Sequence, residues 1–106
     1  MTMEAYLQEF RAFAQAIVDD HSKDVPTGNT ATDMVARVQQ LHAFHKDYYY
    51  KMMDKANAFM AEFADHEPAE RSQFEDALIV ITKEYMSEFS RRNLPEQERQ
   101  ANPNLN

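Results

Sequence analysis

The 106-residue chain contains no cysteine and only one glycine, Gly28. Without cysteine there are no disulfides, no thiol nucleophile and no thiolate metal ligand, although compartment stays open. With a single glycine, no glycine-rich loop can cradle a phosphate. Positive charge is also scarce: eleven Lys and Arg against eighteen Asp and Glu give a net charge of −7. Nucleic acid or an anionic membrane as the main ligand would need a cationic face, so both are set aside. No apolar run reaches membrane-spanning length. The start, MTMEAYLQEF, lacks a basic segment followed by an apolar one, so the expectation is a cytoplasmic protein.

What remains is rich in Ala, Met, Gln, Glu and Lys, the composition of an all-helical domain with one core. Thr2 can cap a first helix, 3–21, on which Met3, Leu7, Phe10, Ala14 and Ile17 recur at alternating spacings of four and three. Pro26 and Gly28 break it, and Thr30 with Asp33 reads as the next start. The second helix, 33–65, then runs without proline or glycine, carrying Met34, Val38, Leu41, His45, Tyr48, Met52, Phe59 and Phe63. Pro68 suits the first position of a third helix, 68–92, with Phe74, Leu78, Ile81, Tyr85 and Phe89 inward. ALIVIT at 77–82 looks strand-like by propensity but sits within this helical period. The expected fold is an all-α, three-helix antiparallel bundle over 1–94, built on a long helix 2–helix 3 hairpin. A disordered polar tail is expected at 95–106.

The stretch LHAFHKDYYYKMM, 41–53, resembles a site but reads largely as core: Leu41, His45, Tyr48 and Met52 share one face, with His42, Tyr49 and Met53 on its margin. Tyr50, Lys46, Asp47 and Lys51 point outward. His45, central in an apolar stripe, needs a partner, and Glu88 falls at its level on helix 3, so a buried His45–Glu88 pair is expected.

Two chemical alternatives are weighed. His42 and His45 are three apart and could face one metal, and His66 and Glu70 make a second pair, but the repeated Glu-x-x-His pattern of helical di-metal sites is absent. Neither metal nor other cofactor is expected. Arg37 and His42 have a spacing used by some helical ribonucleases, on a surface lacking the cationic charge to hold RNA. No nucleophile stands beside a base, so the protein is not expected to be an enzyme.

Geometry suggests instead a contact surface. A short helix 1 folded tightly back would cover helix 2 only from Met34 to Met52, leaving Phe59, Met60, Phe63 and Phe74 at the hairpin tip partly exposed. Six acidic residues lie between Glu62 and Asp76, against Arg71 alone, and Glu62, Glu67 and Glu70 would rim that patch. The expectation is a protein-binding module, an inhibitor, adaptor or assembly chaperone of the phage or mobile-element type, whose partner has basic flanks. A homodimer is expected too, and a structural homo-oligomer without a separate ligand is the alternative. That class assignment is analogy, since a fold does not carry function.

Overall fold

Three helices make up the computed structural model, which describes residues 2–95: α1 (Met3–Ser22), α2 (Ala31–Glu62) and α3 (Pro68–Asn93), with no strand among the described residues. The expected tail at 95–106 lies outside them except for Pro95. Local chemistry sets the helix ends. Thr2 Oγ1 accepts from the Ala5 N–H at 3.2 Å, opening α1. At α2 the Asp33 N–H donates to Thr30 Oγ1 at 3.1 Å, and the Thr30 N–H donates back to the Asp33 carboxylate at 3.3 Å. This reciprocal box starts α2 at Ala31, two residues before the sequence reading placed it. Phe63 caps the other end, so α2 stops at Glu62 rather than at 65. Pro68 occupies the first turn of α3, where its missing N–H leaves no bond unmade, and Arg91 and Arg92 face the negative end of the helix dipole. The strand-like 77–82 segment is helical.

α2 runs antiparallel to both other helices. Tyr6 near the start of α1 packs on Phe63 and Phe74 beside the α2–α3 turn, whereas His21 at its end meets Phe44 and Asp47. The Phe44 and Phe89 rings stack at 3.9 Å and bind α2 to α3, and the Tyr48 hydroxyl donates to the Thr82 carbonyl at 2.6 Å. Into the seam between them α1 inserts Phe10, Ala14, Ile17 and Val18, all buried. Phe10, Ile17 and Val18 each contribute about 1.5–3 kcal/mol by leaving water, and the small Ala14 lets the helices approach. Leu94, beyond α3, is buried against the same core.

α1 does not lie where a tight turn would put it. It covers α2 from about Phe44 to Phe63, not from Met34 to Met52. The eight residues between α1 and α2 run alongside the first turns of α2 instead of reversing sharply. From the level of Phe44 down to Ala31 the drop is about 20 Å at ~1.5 Å per residue, within reach of eight extended residues at ~3.3 Å each. Arg37, only 3% exposed, holds this strap by donating to the Pro26 carbonyl at 3.2 Å and to the Gly28 carbonyl. Gly28 sits so close to the cap that a Cβ there would lie 2.1 Å from the Asp33 carboxylate. Met34, Val35 and Val38 consequently lie beyond the cover of α1 and are exposed.

Candidate protein-docking groove

The apolar patch expected at the hairpin tip is absent. Phe59, Phe63 and Phe74 are buried, and Met60 is half-buried at the edge. The start of α1 reaches the tip: the Tyr6 ring stands edge-on to Phe59 at 4.9 Å and to Phe63 at 5.2 Å, and the Lys55 ammonium sits 5.2 Å from the Phe59 ring centre. Two of the three rim acids, Glu62 and Glu70, are engaged locally. Glu62 accepts from the Tyr6 hydroxyl, a bond that raises the tyrosine above its ordinary pKa. Glu70 pairs with His66 Nδ1 at 3.0 Å, and Glu67 is the N-cap residue of α3. The difference is one of register: α1 lies farther toward the end of α2 than a tight turn would put it, and so covers the tip.

Besides Met34, Val35, Val38 and Val80, apolar side chains stand open on the side of the α2–α3 hairpin away from α1. Tyr49 (58% exposed), Tyr50 (75%) and Met53 (46%) project from α2, and Ile79 (45%) from α3. Tyr49, read from the period as a margin residue, points outward, and Tyr48 alone of the triplet is buried. Between the helices Met52, Met53, Ala56, Met60, Leu78 and Met86 line a groove of about 620 Å³. It continues into a second hollow of about 750 Å³ bounded by His42, His45, Tyr49, Tyr50 and Met53, with Lys46 and Asp54 on its rim. Methionine is flexible and tyrosine rigid, and both present large apolar area of the kind enriched at interfaces.

α2 can serve both sides because it carries two apolar rows. Leu41, Phe44, Tyr48, Met52 and Phe59 face the core, while Val38, His42, His45, Tyr49 and Met53 follow one another at spacings of four and three along the margin. The sequence reading merged them and placed His45 at the centre of the buried stripe, a position that Phe44 holds.

His45 and Glu88 do not pair. Glu88 is taken by Arg91, one turn along α3, and it is the adjacent Phe89 that enters the core at that level. His45 is half-buried at the groove wall, its ring 5.7 Å from Phe44 and its Nε2 without a hydrogen-bond partner among the described residues. Burial lowers its pKa below the ordinary imidazole value and neighbouring His42 adds to the effect, so the ring is neutral near pH 7. Arg37 faces the strap and not the exposed His42, which separates the two members of the nuclease-like spacing. No group of three or more His, Cys, Asp and Glu among the described residues is placed to hold a metal ion.

One polar contact was invisible in the sequence. His21 at the end of α1 bonds Asp47 on α2 at 2.8 Å, and this bond, with help from Lys51, lowers the aspartate below its ordinary pKa. The two residues are separated by 26 positions, and only the register of α1 brings them together. No helix among the described residues is long and apolar enough to cross a membrane. Compared with protein-family models, curated proteins and solved structures, the chain matches none.

Proposed function

We propose that the protein works by protein–protein association, and that its docking surface is the α2–α3 groove on the side away from α1. The reading rests chiefly on one observation: Tyr49, Tyr50, Met53 and Ile79 stay exposed around a continuous apolar trough while the opposite side of the same hairpin is filled. Exposed apolar side chains clustered in a trough favour a contact surface over solvent. A trough between two antiparallel helices has the shape to receive a third, so the ligand is an amphipathic helix. The work open to such a module is masking or bridging, as an inhibitor, adaptor or assembly chaperone does. This replaces the acid-rimmed tip as the contact surface.

The test is binding of an apolar fluorescent dye by the dilute chain, compared with the double variant Met53→Lys/Ile79→Lys. The expected result is dye bound by the parent and lost in the variant, with the helical signal unchanged. Equal binding by both, or none by the parent, would overturn the assignment. Collapse of helicity would place Met53 and Ile79 in the monomer core and overturn it as well.

A further inference from the structure

The helix that this groove receives can be argued from charge. Although the chain carries −7 overall, the two hollows are bordered by Lys46 and Lys83 against Asp54 and Glu75, a balanced set. A partner with basic flanks would be drawn to the acidic segment around the α2–α3 turn and gains nothing at this face. A second copy meets the reverse situation: self-association through most of the surface sets acid against acid, and at the groove it does not. The chain beyond residue 95, EQERQANPNLN, has one large apolar residue, Leu105, and cannot fill a trough lined by methionine, isoleucine and tyrosine.

The arrangement of charge on α2 is also self-complementary. Lys46 lies four residues before Tyr50 and Asp54 four residues after it, about 12 Å apart along the helix at ~1.5 Å per residue. Both border the hollow at Tyr49 and Tyr50, and neither forms an ion pair among the described residues, whereas nearby Lys51 is paired with Asp47. Turning a second α2 antiparallel about Tyr50 brings each Lys46 level with Asp54 of the other copy. A parallel pairing would set Lys46 against Lys46 and Asp54 against Asp54.

We infer that the groove is a self-association surface, in which two copies pair about a two-fold axis at Tyr50 with α2 antiparallel to α2 and Lys46 facing Asp54 of the second copy at both ends. This rests on the reading of the groove as a docking surface and names its occupant. Tyr49, Tyr50 and Met53 from each copy form the apolar centre, and the two charge pairs fix direction, since the opposite orientation brings like charges together.

Sedimentation equilibrium over a range of concentrations, on the full chain and three variants, tests the inference. The parent is expected to dimerise reversibly. Lys46→Glu and Asp54→Lys each place like charges at both ends of the interface and should each weaken the dimer about tenfold or more. Lys46→Glu/Asp54→Lys together restore opposite charges and should return affinity to within a few-fold of the parent. Both positions of change are exposed, and circular dichroism checks that each variant folds. A parent that stays monomeric yet binds the apolar dye overturns self-pairing and leaves the groove standing. A monomer that binds no dye overturns both readings. A dimer indifferent to the single changes, or not restored by the double, forms through another face and overturns the pairing about Tyr50.

Discussion

The α2–α3 hairpin has two flanks that differ in one respect. On one, α1 supplies Phe10, Ala14, Ile17 and Val18, and the facing side chains of the hairpin are buried. On the other, nothing within the described residues is laid down, and Tyr49, Tyr50, Met53 and Ile79 stand in water. The same helix, α2, contributes both surfaces through rows one residue apart in register. The difference teaches that helical amphipathicity alone does not say how many neighbours a helix has; a stripe too wide for one partner is also the stripe of a helix that meets partners on two sides.

The largest effect that can break the contrast comes from exchanging a residue on each flank for alanine. Phe44→Ala removes the ring stacked on Phe89 and opens a cavity between α2 and α3, and denaturant unfolding should show a loss of about 3–5 kcal/mol. Met53→Ala, one row away, should cost the dilute chain no more than about 0.5 kcal/mol. Similar losses at both positions would mean that the second flank is core after all.

Next in size is the strap. Arg37→Ala leaves the Pro26 and Gly28 carbonyls without their donor and releases the segment that joins α1 to α2, and should cost about 2 kcal/mol by the same measurement. Arg37→Lys, which keeps the charge but replaces the planar guanidinium with a shorter, tetrahedral and more strongly hydrated ammonium, should recover only part of it. A full recovery would reduce the arginine to a charge in the right place.

The smallest effect sharpens the open flank by pH. An unfolded chain protonates His45 near the ordinary imidazole value of 6.5, whereas in the folded chain burial delays protonation to lower pH. Between those two values the unfolded state binds more protons, so the stability due to neutral His45 is complete above about 6.5 and declines as pH falls toward the folded value. Unfolding at pH 7.5 and at pH 5.5 should show a larger acid loss in the parent than in His45→Gln. An equal loss in both would show that the imidazole is as free to charge in the fold as out of it.

Much of this architecture could be read from the sequence, and the part that could not has identifiable causes. Thr2, the Thr30–Asp33 box and Pro68 mark helix starts because capping is a local affair of three or four residues, and each is found where the spacing puts it. Phe10, Tyr48, Phe74 and Phe89 were identified as inward-facing by period alone, and each is buried. The position of α1 along α2 is not local. It depends on whether eight linking residues turn or run straight, and that is decided by Arg37, whose buried position nothing in a polar segment announces. From that displacement came the misplaced patch at the tip and the missed His21–Asp47 contact. A separate ambiguity, between Phe44 and His45, follows from two overlapping rows on one helix, where neighbouring residues exchange roles with a rotation of 100°.

The strap has a further consequence for the order in which the molecule comes apart. α2 is one continuous helix of 32 residues, yet its first three turns are held by an eight-residue segment and one arginine, while the rest is clasped by two helices. Backbone amides from about 35 to 41 should therefore exchange with solvent deuterium through local opening, long before those around Tyr48 and Met52, which wait for global unfolding. The helix that is uniform in shape is graded in persistence, and its loosest end carries Met34, Val35 and Val38 into the solvent.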